Sequence, residues 1–145
     1  MPDAIAAVVQ YLGQSDELDD LVEGRIFAES VPDSEVDEWA PGEARACVVV
    51  QSSAGGYGAL QRTFVRAGNS RFDIRCYGPT PEVCNAIYGA AYPHFKQLTR
   101  QVVDDCLVYD ITPVIEKSML REPDTDFWFA FASFNVMAAE IAVAS

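Results

Sequence analysis

The chain has 145 residues, 22 Asp plus Glu against 10 Lys plus Arg and one His, for a net charge of −12 and a pI near 4.2. A chain of this length buries about 70% of its unfolded surface as one domain, so it needs no disulfide frame or structural metal to hold a core. The acidic balance argues against non-specific binding to phosphate backbones or anionic lipid, which needs clustered Lys and Arg.

The charge is unevenly divided. Residues 1–43 hold twelve acids and one base, Arg25, for a net of −11. Residues 45–75 carry Arg45, Arg62, Arg66, Arg71 and Arg75 against the single acid Asp73. These are either solvated faces or opposite patches that meet between copies of the chain.

In chain order, Ile5, Val8, Val9 and Leu12 repeat at helical spacing behind the cap residue Asp3, and Gly13 ends the pattern. Leu18, Leu21 and Val22 follow Ser15-Asp16-Glu17, whose acids suit the positive end of a second short helix that stops at Gly24. Residues 25–28 read as a short extended piece. Residues 30–44, with two prolines, a glycine and several acids, read as a long solvated loop anchored by Trp39.

The run Ala46-Cys47-Val48-Val49-Val50 is β-branched and unbroken by polar residues, as in a central strand covered on both faces. Residues 52–58 are rich in Ser and Gly and predict a flexible arm, with Gly55, Gly56, Tyr57, Gly58 and Leu60 as its docking residues. Arg62–Arg66 and Arg71–Tyr77 read as strands joined by a turn at 67–70. In the second, Phe72, Ile74 and Cys76 share a core face, while Arg71, Asp73, Arg75 and Tyr77 share the other.

Thr80 caps a further helix with Pro81 at its first position. Its buried stripe is Val83, Ile87, Ala90, Ala91, Phe95 and Leu98, and Pro93 is expected to kink it or end its first half. Cys106–Ile115 and Phe127–Met137 read as two long strands separated by a charged arm over 116–126. The expected fold is one α+β domain over 1–145: an antiparallel sheet with helices packed on one face and long hairpin arms.

No catalytic, metal or cofactor site is expected. The single His94 rules out a histidine-cluster metal site and reads as structural, and no nucleophile-elbow motif is present. The Gly55–Gly58 run lacks the Lys-Ser/Thr of a phosphate loop, and the Asp pairs at 19–20, 104–105 and 124/126 do not continue into a calcium loop. Cys47, Cys76, Cys84 and Cys106 contain no C-x-x-C pair and read as buried thiols. The aromatic run Phe127-Trp128-Phe129-x-Phe131 has no interleaved bases, which favours core or subunit interface over base stacking. No signal sequence or membrane span is expected, since the uncharged stretch Phe127–Ala139 has only 13 residues and contains Ser133 and Asn135.

Taken in order, Ile5-x-x-Val8-x-x-Tyr11-Leu12, Leu18 to Gly24-Arg25-Ile26-Phe27, Val48-Val49-Val50-Gln51 and Phe72-Asp73-Ile74-Arg75-Cys76-Tyr77-Gly78-x-Thr80, followed by Asn85-Ala86-Ile87, resemble the tail terminator proteins of long-tailed bacteriophages. The resemblance spans nearly the whole chain, with the acidic 30–44 loop, Pro93 and the final hairpin as departures. It implies a non-enzymatic virion subunit, made in the host cytoplasm, that forms a hexameric ring at the tail–neck junction. Such a ring caps the tail tube protein, ends its polymerisation and joins the tail to the head connector, with genome DNA passing through without specific binding. Arg62, Arg66, Arg71, Asp73 and Arg75 are then the expected subunit interface. Two other readings are a head-completion or neck adaptor protein and an acidic DNA-mimic inhibitor acting through residues 1–43.

Overall fold

A computed structural model describes residues 4–39, 43–52, 67–103, 106–123 and 125–140. In chain order the elements are α1 (Ala4–Leu12), α2 (Asp16–Val22), β1 (Ile26–Ala28), α3 (Asp33–Val36), β2 (Cys47–Ser52), β3 (Ala67–Gly78), α4 (Pro81–Lys96), β4 (Gln101–Val103), β5 (Cys106–Arg121) and β6 (Trp128–Glu140). One six-stranded sheet has the order β1-β2-β3-β6-β5-β4. The expected α+β fold is present, but the sheet is mixed: β1 runs parallel to β2, and the other pairs are antiparallel.

Local chemistry sets the helix ends. The Ser15 hydroxyl accepts from the Leu18 N–H at 3.2 Å and the Thr80 hydroxyl from the Val83 N–H at 3.3 Å, so each satisfies a donor the first helical turn leaves open. α2 stops as Glu23 and Gly24 take left-handed φ values of 52° and 78°. Gly78, at the end of β3, is fixed by proximity: a Cβ there would lie 2.9 Å from Val83 Cγ1 on α4.

The main core lies between the sheet and the layer of α1, α2 and α4. Its centre is a trio of buried rings from three elements. Phe72 of β3 stacks on Phe134 of β6 with centroids 5.6 Å apart, and Phe95 of α4 meets them at 5.9 and 4.9 Å. Such aromatic pairs add about 0.5–1.5 kcal/mol each beyond the area they bury. α1 and α4 are clamped by Tyr11 and His94, whose rings stack at 4.1 Å. The Tyr11 hydroxyl donates to the His94 carbonyl at 2.5 Å, and His94 Nε2 lies 2.7 Å from the Tyr11 carbonyl.

Several expectations are corrected. Residues 67–70 form no turn: β3 pairs with β6 continuously from Ala67↔Ala139 to Gly78↔Trp128, and a twelve-pair ladder outweighs the local turn preference of Gly68-Asn69-Ser70. Of the two outcomes expected at Pro93, a kink or an end to the helix's first half, the end is excluded, because α4 runs on to Lys96. The proline sits in the last turns, where it removes one helical hydrogen bond, and the packing of Ile87, Ala90, Ala91 and Phe95 carries the helix to Lys96. Residues 116–121 belong to β5 rather than to an arm, and the strand absorbs the surplus chain in three register shifts against β6.

Residues 31–39 and Ala44 are not simply solvated. They contain α3 and place Val31, Val36, Trp39 and Ala44 against the sheet face opposite the main helix layer. Trp39 anchors this second cluster, edge-on to Phe127 at 5.1 Å and beside Tyr77 at 6.4 Å.

Candidate functional site

Strand alternation assigns residues to two faces of the sheet. On β3, Phe72, Ile74 and Cys76 are fully buried toward the helices, as expected, and Arg71, Asp73, Arg75 and Tyr77 face the other way. The β6 register sets Asn135, Ser133, Phe131 and Phe129 beside these four in turn. This outer face has an apolar half and a polar half. Tyr77, Phe129, Cys47 and Val49 pack with Val31, Val36, Trp39 and Ala44, whereas Arg71 is exposed and Asp73 and Asn135 are half-buried.

Arg75 stands at the border. Its guanidinium lies 5.0 Å over the Phe129 ring and donates to the Tyr77 hydroxyl at 3.4 Å, and its Nη1 is 3.6 Å from Glu122 Oε1. The Tyr77 hydroxyl donates to the same Glu122 oxygen at 2.5 Å. Burial, reinforced by that bond to a carboxylate and opposed by Arg75, pushes the Tyr77 phenol up to about 12. Arg75 Nε is buried with no hydrogen-bond partner among the described residues. Two residues along, Asp73 accepts from the buried Ser133 hydroxyl at 2.5 Å.

Part of the acidic segment is answered inside the chain. Arg25 lies 3.1 Å from Glu23 and 3.8 Å from Glu35, and donates to the Ala46 carbonyl at 2.9 Å. Arg45 reaches Glu38 at 3.3 Å and Glu35 at 3.8 Å. The exposed acids of α2, Asp16, Glu17, Asp19 and Asp20, have no ion pair among the described residues.

Of the residues expected at a subunit interface, Arg71, Asp73 and Arg75 therefore share one face, but Arg75 already holds Glu122 of its own chain. Arg62, Arg66 and the arm residues Gly55, Gly56, Tyr57, Gly58 and Leu60 lie outside the described residues. Glu122 and Ser133 were missed in the sequence, because each gains its role only through strand register with residues 45 and 60 positions away.

Among the described residues, no group of three or more His, Cys, Asp or Glu side chains is placed to hold a metal ion. The four cysteines are buried, and burial pushes Cys47 up to about 12 and Cys84 to about 11, with Cys76 also raised. These three thiols stay protonated at neutral pH and are poor nucleophiles.

Neither a family model nor a curated protein sequence matches this chain. A solved structure does: a chain from the virion of a native gene transfer agent particle is similar over 92% of this chain and 92% of its own length, with a TM-score of 0.63 and 15% sequence identity. The two share a fold. The similarity covers most of both chains, so it includes both the sheet and the helix layer rather than a common submotif.

Proposed function

We propose that this protein is a structural component of a phage-like virion. More narrowly, it is a ring-forming subunit that caps the tail tube, stops its growth and joins it to the head connector. The observation that carries this reading is the likeness, over 92% of both chains, to a chain of a gene transfer agent virion. The ordered resemblance of the sequence to tail terminator proteins supports the narrower role.

The surface suits such a role. A closed ring requires two different, complementary patches on each subunit, and the chain carries acidic and basic surfaces at separate places. Arg71 is the exposed base of the outer sheet face and has no ion pair among the described residues, so it is available to a neighbouring virion protein. A net charge of −12 disfavours lasting contact with DNA moving through a ring.

Deletion of the coding sequence from its own phage-like element, followed by electron microscopy of the particles, tests the assignment. Tails of uncontrolled length, or tails separated from heads, are expected, and the wild-type chain supplied in trans should restore joined particles. Normal tails that lack only a head-proximal collar would favour the neck adaptor reading. Intact infectious particles would reject a structural role.

A further inference from the structure

The flank of the molecule at β5 carries features that the fold leaves unused. β4 pairs only with Cys106 to Val108, so from Tyr109 to Arg121 the outer edge of β5 has no strand partner among the described residues. An edge of this length is a template for another chain unless it is blunted. Pro113 and the register shifts blunt the backbone, yet Val114, Ile115 and Leu120 are 44%, 41% and 44% exposed along the same strand.

The helix side of this flank is cationic and aromatic. Lys96 lies 5.1 Å over Tyr92, Lys117 lies 5.7 Å over Tyr88, and Arg100 lies 5.3 Å over Tyr109. Lys117 also donates to Asn85 Oδ1 at 2.6 Å. None of these three cations has an ion pair among the described residues. Glu116 acts on the Tyr88 phenol from the same flank and is one acid against these three cations. Packing on aromatic faces holds long side chains in place while leaving their charge to the outside.

The complementary surface is on the same chain but at another place. α2 packs on α4 and β2, toward the β1 side of the sheet, and exposes its four unpaired acids there. We infer that the β5 flank, through Lys96, Arg100 and Lys117, is the docking surface for the acidic α2 of a second copy of this chain. Resting on the ring reading above, this sets the lateral contact as heterologous, with one flank of each subunit on the opposite flank of the next. Ile115 and Leu120 pair with Ser133 and Phe129 and so lie on the outer sheet face, and the contact with α2 is carried by the three cations.

Charge-swap pairing tests it. Lys96→Glu/Lys117→Glu and Glu17→Lys/Asp20→Lys are made in the full chain, and circular dichroism verifies that each folds. Self-association is measured at low salt by native mass spectrometry and sedimentation. The wild type is expected to self-associate, and each double variant alone to do so at least about tenfold more weakly. An equimolar mixture of the two should regain assembly, because reversed flank then faces reversed α2 while the other contact is native. Variants that assemble as well as wild type, a mixture that stays dissociated, or a wild type that remains monomeric at low salt would each overturn the inference. The ring reading fails by a different result, absence of the protein from purified particles.

Discussion

Arg75 on β3 and Glu122 in the β5–β6 turn hold one another within a single subunit, 3.6 Å apart, with the Tyr77 hydroxyl bonded to both. Arg71, four residues away on the same face, is exposed and has no such partner among the described residues. The alternation of β3 makes these arginines equivalent in sequence; the register of a distant turn makes them different.

Charge reversal should separate them. Arg75→Glu sets a carboxylate against Glu122 and is expected to cost about 1–3 kcal/mol of folding stability, whereas Arg71→Glu should stay within about 0.5 kcal/mol. Thermal unfolding of the isolated protein at low salt measures both. Equal losses would assign Arg71 a hidden partner inside the subunit.

Gly78 should not tolerate a side chain. Gly78→Ala forces a Cβ into Val83 at the β3–α4 junction, and an overpacked contact of this kind costs about 1–3 kcal/mol. Val83→Ala in the same chain should recover part of the loss by vacating Cγ1. A Gly78→Ala variant as stable as wild type in urea titration would mean that the helix shifts freely against the sheet.

The sequence reveals what depends on near neighbours. The cap at Thr80, the two-sided burial of Val48 to Val50 and the alternation of Phe72, Ile74 and Cys76 all follow from local pattern, and the structure contains each of them. The errors lie where a distant partner decides. Gly68-Asn69-Ser70 would turn if left alone but is held extended by β6, Pro93 is carried by packing, and three residues of β1 run parallel to β2 with no sequence signal. At the candidate site, the shared face of Arg71, Asp73 and Arg75 is legible from alternation. Their different partners are not, because Glu122 and Ser133 reach them only across the folded sheet.

The Tyr11–His94 clamp should be structural. Tyr11→Phe keeps the ring stack but removes the donor to the His94 carbonyl, for an expected cost of about 0.5–1.5 kcal/mol. The variant should assemble as wild type once folded. A change in assembly at unchanged melting temperature would place this pair at a contact between subunits instead.

Alkaline pH should loosen the fold. Burial raises Tyr77 and Tyr88 from 10.0 to about 12, and Cys47 from 9.0 to about 12. A raised folded-state value means that the folded chain holds these protons more tightly than the unfolded chain does. The stability they contribute is complete below about pH 9 and declines as pH rises toward 12. The tyrosinate absorbance that Tyr77→Phe removes should therefore appear together with the change in circular dichroism above pH 10, and that same component appearing at pH 10 without loss of structure would contradict the burial of Tyr77.

The central claim, that this chain closes the head end of a phage-like tail, is tested most directly by a cryo-electron microscopy reconstruction of the tail–head joint in purified particles. The expected result is a closed ring of six copies between the last tube ring and the connector, with the six-stranded sheet and its helix layer fitting each subunit. A joint built wholly from other chains, with this protein absent or bound elsewhere in the particle, would contradict it.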